Sequence, residues 1–314
     1  MVDFTKRKKT VGKKVTPAKK AAPKSEPAIV DVDDPVRWSD DPDEELRRFI
    51  VCIHGAMASG KTFLAASADP SFPSKLPAAK MVSLDKTLWI AADQDATAGF
   101  AHNKLRVRSI SIPNLMGIEK LWRAAGFSRP PSVMEASKYA LDTAQELALD
   151  GIIENVVVDT VTTWDLHLIS YHEVKYAAHP NQYEAFKHNR AAHALIHTKL
   201  VASGANIIYL FHTRAVGDDT KNEKSKNVSV LVAGGAKFVP DVTGQAPKFY
   251  KHDATLQLVM KATRAPGKKT LSRKVLTSVN DEGMECKNRF EGVLDHEEEP
   301  NLRRIFGKIR AAQA

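Results

Sequence analysis

A chain of 314 residues, 43% of them hydrophobic, can bury one sizeable core, and a formal charge of +9 leaves nucleic acid open as a partner. No apolar run reaches the roughly 18 to 20 residues that span a bilayer, and the first residues lack a secretory signal's apolar segment, so the expectation is a cytoplasmic protein with no membrane partner. The two cysteines, Cys52 and Cys286, have neither metal-ligand spacing nor the number for a disulfide framework.

Much of the positive charge sits in "KRKKTVGKKVTPAKKAAPKS", Lys6 to Ser25, and an acidic stretch, "DVDDPVRWSDDPDEELRR", follows it. Both lack apolar periodicity, which predicts a disordered basic arm and acidic linker over residues 1–46, either solvating or polyanion-binding. A core is expected over 47–292 and a tail with a helix over 293–314. Within the core, "RRFIVCIHG" reads as a strand and "GKTFLAASA" as a helix, which the proline-spaced "DPSFPSKLPAAK" breaks. "KTLWIAADQD" and "LRVRSISIP" are further strands, and "SVMEASKYALDTAQELALDG" is an amphipathic helix closed by Gly151.

"IIENVVVDT" has the β-branched composition of a central strand, and a helical region follows from Trp164 to Ser203, interrupted near "AAHPNQ". "ANIIYLFHTR" is another buried strand, and the polar "AVGDDTKNEKSKN" after it reads as a mobile loop. "ATLQLVMKAT" and "TLSRKVLTSV" form an antiparallel pair, and "NLRRIFGKIRAA" a final helix. The alternation predicts an α/β fold: a mostly parallel sheet with helices on both faces, a C-terminal β-hairpin, and functional loops at the carboxyl ends of the strands.

The segment between the first strand and helix, "GAMASGKT", has the phosphate-loop spacing G-x-x-x-x-G-K-[ST]. Gly55, Ala56, Met57, Ala58, Ser59, Gly60, Lys61 and Thr62 curl so that backbone N–H groups face phosphate oxygens, and the helix adds its N-terminal partial charge. Lys61 reaches the β- and γ-phosphates, and the Thr62 hydroxyl ligates Mg²⁺. Asp159, ending "NVVVD", is placed to help hold the metal or to cap the next helix, as is Thr160. Asp93 and Asp95 in "WIAADQD" are the carboxylates available to orient water, with Asp93 favoured because it comes first after the apolar run. His212 closes its strand where a γ-phosphate can be sensed.

Lys287 and Arg289 in "ECKNRFEG" share a side of an extended segment and form a cationic pair for developing phosphoryl charge, in their own subunit or across an interface. His188, His193 and His197 lack the companions of a zinc site and read as ordinary helix-face residues. Trp164, Tyr171, Tyr176 and Tyr183 are base-stacking candidates or, more simply, core and helix surface.

Taken together, the phosphate loop, the acid at Asp93, "VVVDT", "YLFHTR" and "KNRF" resemble the RecA-like ATPase family, especially compact phage-encoded ATPases of single-strand annealing and recombination. The resemblance spans residues 47–292 and implies ATP and Mg²⁺ as cofactors, with Asp159 as the metal-side acid and Asp93 where the family usually keeps a glutamate. It further implies that Lys287 to Arg289 enter a neighbour's ATP site, as in DnaB-type ring helicases, so that a homo-oligomer forms. Single-stranded DNA is expected on loops 165–182 and 213–243, with a recombination or replication protein as a further partner. The alternatives are a small-molecule or nucleotide kinase and a non-hydrolysing nucleotide-gated scaffold.

Overall fold

The structure, a computed structural model, describes residues 48–75, 80–94, 96–181, 183–215, 238–242, 247–264, 271–278, 286–290 and 292–313. The basic arm, the acidic linker up to Arg47, Asp95, the polar segment 216–237 and residues 265–270 lie outside the described residues.

In chain order the elements are β1 (Ile50–Gly55), α1 (Lys61–Ala66), β2 (Val82–Ala91), α2 (Ala98–His102), β3 (Leu105–Ser111), α3 (Ile112–Gly117), α4 (Glu119–Ala124), α5 (Val133–Leu149), β4 (Asn155–Asp159), α6 (Val161–Lys175) and α7 (Glu184–Ala202). They continue with β5 (Asn206–Ala215), β6 (Phe238–Pro240), α8 (Pro247–Asp253), β7 (Leu256–Arg264), β8 (Leu271–Leu276), β9 (Lys287–Asn288), β10 (Glu297–Glu298) and α9 (Leu302–Gln313). Among the described residues no helix is long and apolar enough to cross a membrane.

The strands form one sheet in the order β10-β8-β7-β1-β5-β4-β2-β3, with β6 paired to β5 and β9 to β7. The run from β7 to β3 is parallel throughout, and β8, β9, β10 and β6 join antiparallel. All five residues of β4 are buried, as its β-branched composition requires of a central strand. Because side chains alternate along a strand, the sheet makes two cores. Cys52, Val156, Val158, Ile207 and Tyr209 face α5, α6 and α7, while Val51, Ile53, Val157, Ile208 and Leu210 face α1 and α9.

Local signals explain several boundaries. Ser132 and Glu135 form a reciprocal capping box that starts α5. The long helical region is two helices, with the break at residues 176–183 around Pro180. β2 begins at Val82, earlier than its apolar run suggests, and ends at Ala91, so Asp93 stands on the loop beyond its tip. The two short helices α3 and α4 were not anticipated; Ser111 caps the first, and Pro113 lies in its opening turn.

Candidate active site

β1 delivers the phosphate loop to the carboxyl edge of the sheet. A Cβ at Gly55 would lie 2.6 Å from the Met260 carbonyl oxygen of the neighbouring strand, a space only glycine fits. Ala58 at φ 58° and Gly60 at φ 105° turn the chain left-handed, the geometry that makes a concave run of backbone N–H groups. Met57 stands at the exposed crest. The expected dipole of the following helix is small, because α1 has only six residues, so the loop's own N–H groups carry the burden of binding an anion.

Lys61 is buried, with Nζ donating to the carbonyls of Gly55 at 2.8 Å and Ala56 at 2.9 Å. Burial lowers its pKa, against the opposing pull of Asp159. The ammonium is thus folded onto the two carbonyls that open the loop. Ser59 Oγ is buried with no hydrogen-bond partner among the described residues, an unmet polar group inside a loop shaped for oxyanions.

Asp159 ends β4 two strands from β1, with β5 between them. Its Oδ2 accepts from Thr62 Oγ1 and from Trp89 Nε1, each at 3.2 Å. Burial raises its pKa to about 6, Asp93 adds to the rise, and the hydrogen bonds from Trp89 and Thr62 and the charge of Lys61 resist it. Mg²⁺ is commonly held by one or two protein oxygens plus substrate phosphates, and Thr62 Oγ1 with Asp159 Oδ2 is such a pair of hard donors. The site fits that ion.

Asp93 is half-buried across the cleft, its Oδ2 3.4 Å from Thr160 Oγ1. Thr160 also caps α6 by accepting from Thr163 N. His212 lies opposite Gly55 in the β1–β5 register. Its backbone N donates to Thr162 Oγ1, which donates to the Asp241 carbonyl, while Asp241 N donates back to the His212 carbonyl. Burial lowers the His212 pKa, Lys61 lowers it further, and Asp93 and Asp241 oppose. Lys61, Thr62, Asp93, Asp159 and His212 therefore gather at neighbouring strand tips, inside one electrostatic field.

Lys287 and Arg289 stand elsewhere. β9 pairs with the start of β7, Lys287 opposite Gln257, whereas the phosphate loop meets β7 at Met260, about 10 Å further along the strand. Lys287 Nζ donates to the carbonyls of Lys251 and His252, and Arg289 Nη2 to that of His252, closing the end of α8. Both side chains are thus engaged at the end of α8 rather than at their own phosphate loop.

The histidines of α7 also differ from a plain helix face. His193 bridges Asp165 Oδ1 at 2.8 Å and Tyr250 Oη at 2.6 Å, and His197 bridges Tyr209 Oη and Asp253 Oδ2, each at 2.9 Å. His193 and His197 are buried, and only His188 keeps a half-exposed place, stacked on Tyr176. Trp164 is core, donating to Ser137 Oγ. Two residues at the site escaped sequence reasoning. Trp89 shows only as a tryptophan whose indole N–H must find an acceptor if buried, and Arg273, whose Nε donates to the Ser59 carbonyl at 3.1 Å, carries no signal at all.

No protein-family model matches the chain, and no curated protein matches it in sequence. Among solved structures it is similar to the KaiC-like protein PH0186 of the hyperthermophilic archaeon Pyrococcus horikoshii OT3, at 12% identity and TM-score 0.36, over 72% of this chain and 77% of that one. It is also similar to a prototypical ATPase from the type III secretion system of pathogenic bacteria, at 12% identity and TM-score 0.37, over 69% of this chain and about half, 51%, of that one. The assignment of fold rests on the molecule's own topology: a parallel sheet covered on both faces, a phosphate loop after its first strand, and an aspartate two strands away. The fold is α/β, with a mostly parallel sheet and a phosphate-loop motif after its first strand. In an open parallel α/β sheet ligands bind outside the carboxyl ends of the strands, and the loops and strand ends there carry Lys61, Thr62, Asp93, Asp159 and His212.

Proposed function

We propose that this protein is a Mg²⁺-dependent ATPase that assembles as a homo-oligomer on single-stranded DNA, in recombination or annealing of the phage type. The observation that carries the ATPase reading is the convergence on the phosphate loop of Lys61, folded onto its carbonyls, and of Thr62 hydrogen-bonded to Asp159, whose charge Lys61 also feels. On binding ATP, Lys61 exchanges the Gly55 and Ala56 carbonyls for the β- and γ-phosphates, and the loop N–H groups take the remaining oxygens. Thr62 and Asp159 hold Mg²⁺, which supplies charge neutralisation on the phosphates. Asp93 orients the attacking water and accepts its proton, with one methylene less reach than a glutamate. His212 reads the γ-phosphate and passes its presence through Thr162 to Asp241, at the edge of the segment expected to meet DNA.

Oligomerisation is supported by the placement of Lys287 and Arg289 away from their own phosphate loop, which leaves a neighbour's as the site they would serve. Residues 1–46 would add a polyanion-binding arm to this core. A non-hydrolysing scaffold is the reading favoured by the aspartate at position 93 and its engagement with Thr160.

Phosphate release measured with and without a single-stranded oligonucleotide tests the proposal. ATP turnover that DNA stimulates, and that Lys61→Ala abolishes, is expected. Tight MgATP binding without turnover selects the scaffold, and label transferred to a small acceptor selects a kinase.

A further inference from the structure

Arg273 comes from β8, on the far side of β1 from Asp159, and reaches the phosphate loop from outside. Its Nε donates to the Ser59 carbonyl at 3.1 Å, and its side chain lies so close to Gly60 that a Cβ there would stand 3.0 Å from Nε and 3.1 Å from Cδ. We propose that Arg273 is a positioning residue for nucleotide binding, holding the Ser59–Gly60 peptide so that the Gly60 N–H faces the phosphate chain; this rests on the nucleotide reading of the loop.

The argument follows from peptide geometry. The Ser59–Gly60 bond is trans, so its C=O and N–H point in opposite directions across a rigid plane. With the carbonyl turned outward to the guanidinium, the N–H turns inward, to the concave side that Lys61 and the orphaned Ser59 Oγ share. Gly60 gives this orientation little resistance and little protection, because at φ 105° it has no side chain to oppose rotation of the plane. The hydrogen bond from a charged donor is what selects one orientation. The Arg273 side chain remains exposed, and Nη1 and Nη2 make no hydrogen bond among the described residues, so the hold on the loop runs through Nε.

Calorimetric titration of MgADP into the full-length protein tests the role, using Arg273→Met, which keeps the bulk and removes the donors, and Arg273→Lys, which keeps one. Arg273→Met is expected to weaken MgADP binding about tenfold and to raise KM for ATP with kcat unchanged, since the N–H serves ground and transition states alike. Arg273→Lys recovers most of that loss, and the melting temperature of the nucleotide-free protein stays the same in both. Wild-type affinity in Arg273→Met, or a loss that tracks a lowered melting temperature, overturns the proposal. If wild type itself binds no MgADP, the nucleotide reading fails and takes the role of Arg273 with it; binding by wild type that Lys61→Ala removes leaves Arg273 as the only point at issue.

Discussion

Asp159 works against its surroundings. A buried carboxylate near Asp93 is expensive to ionise, yet the metal-side role proposed for it requires the ionised form. Its folded-state pKa of about 6 lies above the ordinary 3.8, so the protonated carboxyl favours the folded state. That contribution is whole below 3.8, falls as pH rises, and is gone above about 6, where the buried charge costs the nucleotide-free protein about 3 kcal/mol. Asp159→Asn is therefore expected to stabilise the metal-free protein by about 2 to 3 kcal/mol at pH 7.5 and by far less at pH 4, while losing Mg²⁺-dependent nucleotide binding. Urea unfolding at the two pH values checks it; an equal change at both would mean that the charge is not the source.

At the scale of elements, what was legible in the sequence is what is written locally. The phosphate loop is eight consecutive residues, and Asp159 ends an unbroken β-branched run, so both can be placed without knowing any partner. Trp89 and Arg273 reach the same site from 70 and 214 residues away in the chain, and nothing in their own neighbourhoods announces it. The histidines of α7 were misjudged for the same reason. Helical spacing places His193 and His197 on one face, but Asp165, Tyr250, Tyr209 and Asp253, which make that face a buried polar seam, belong to three other elements. Asp165 can only accept from His193 Nε2, and Tyr250 supplies the opposite side of the ring. Tyr250→Phe, which leaves His193 Nδ1 unmet, is expected to cost about 1 to 3 kcal/mol in urea unfolding. Unchanged stability would mean that water replaces the hydroxyl and the seam is less dry than its burial suggests.

For the whole molecule, the sheet sets the Lys287–Arg289 pair against the start of β7 and the phosphate loop against Met260, about 10 Å further along that strand. If the pair serves a neighbouring copy, as proposed, this separation is the asymmetry that a head-to-tail assembly needs. Arg289→Ala should leave MgADP binding intact and slow turnover about a hundredfold or more. Mixed with the inactive Lys61→Ala, it should turn over ATP faster than it does alone, because some junctions then pair an intact loop with an intact arginine. No recovery in any ratio would remove the shared site.

The last helix bears on how this site comes into being. α9 lies under α1: Leu302 N donates to Ser67 Oγ across 235 residues of sequence, Arg303 reaches the Pro70 carbonyl, and Phe306 stacks on Phe49 just ahead of β1. The phosphate loop is announced by a short local motif, yet its foundation is a contact between distant parts of the chain. Closing so wide a loop is slow, so the footing of the phosphate loop should mature late in folding, after more local contacts have formed.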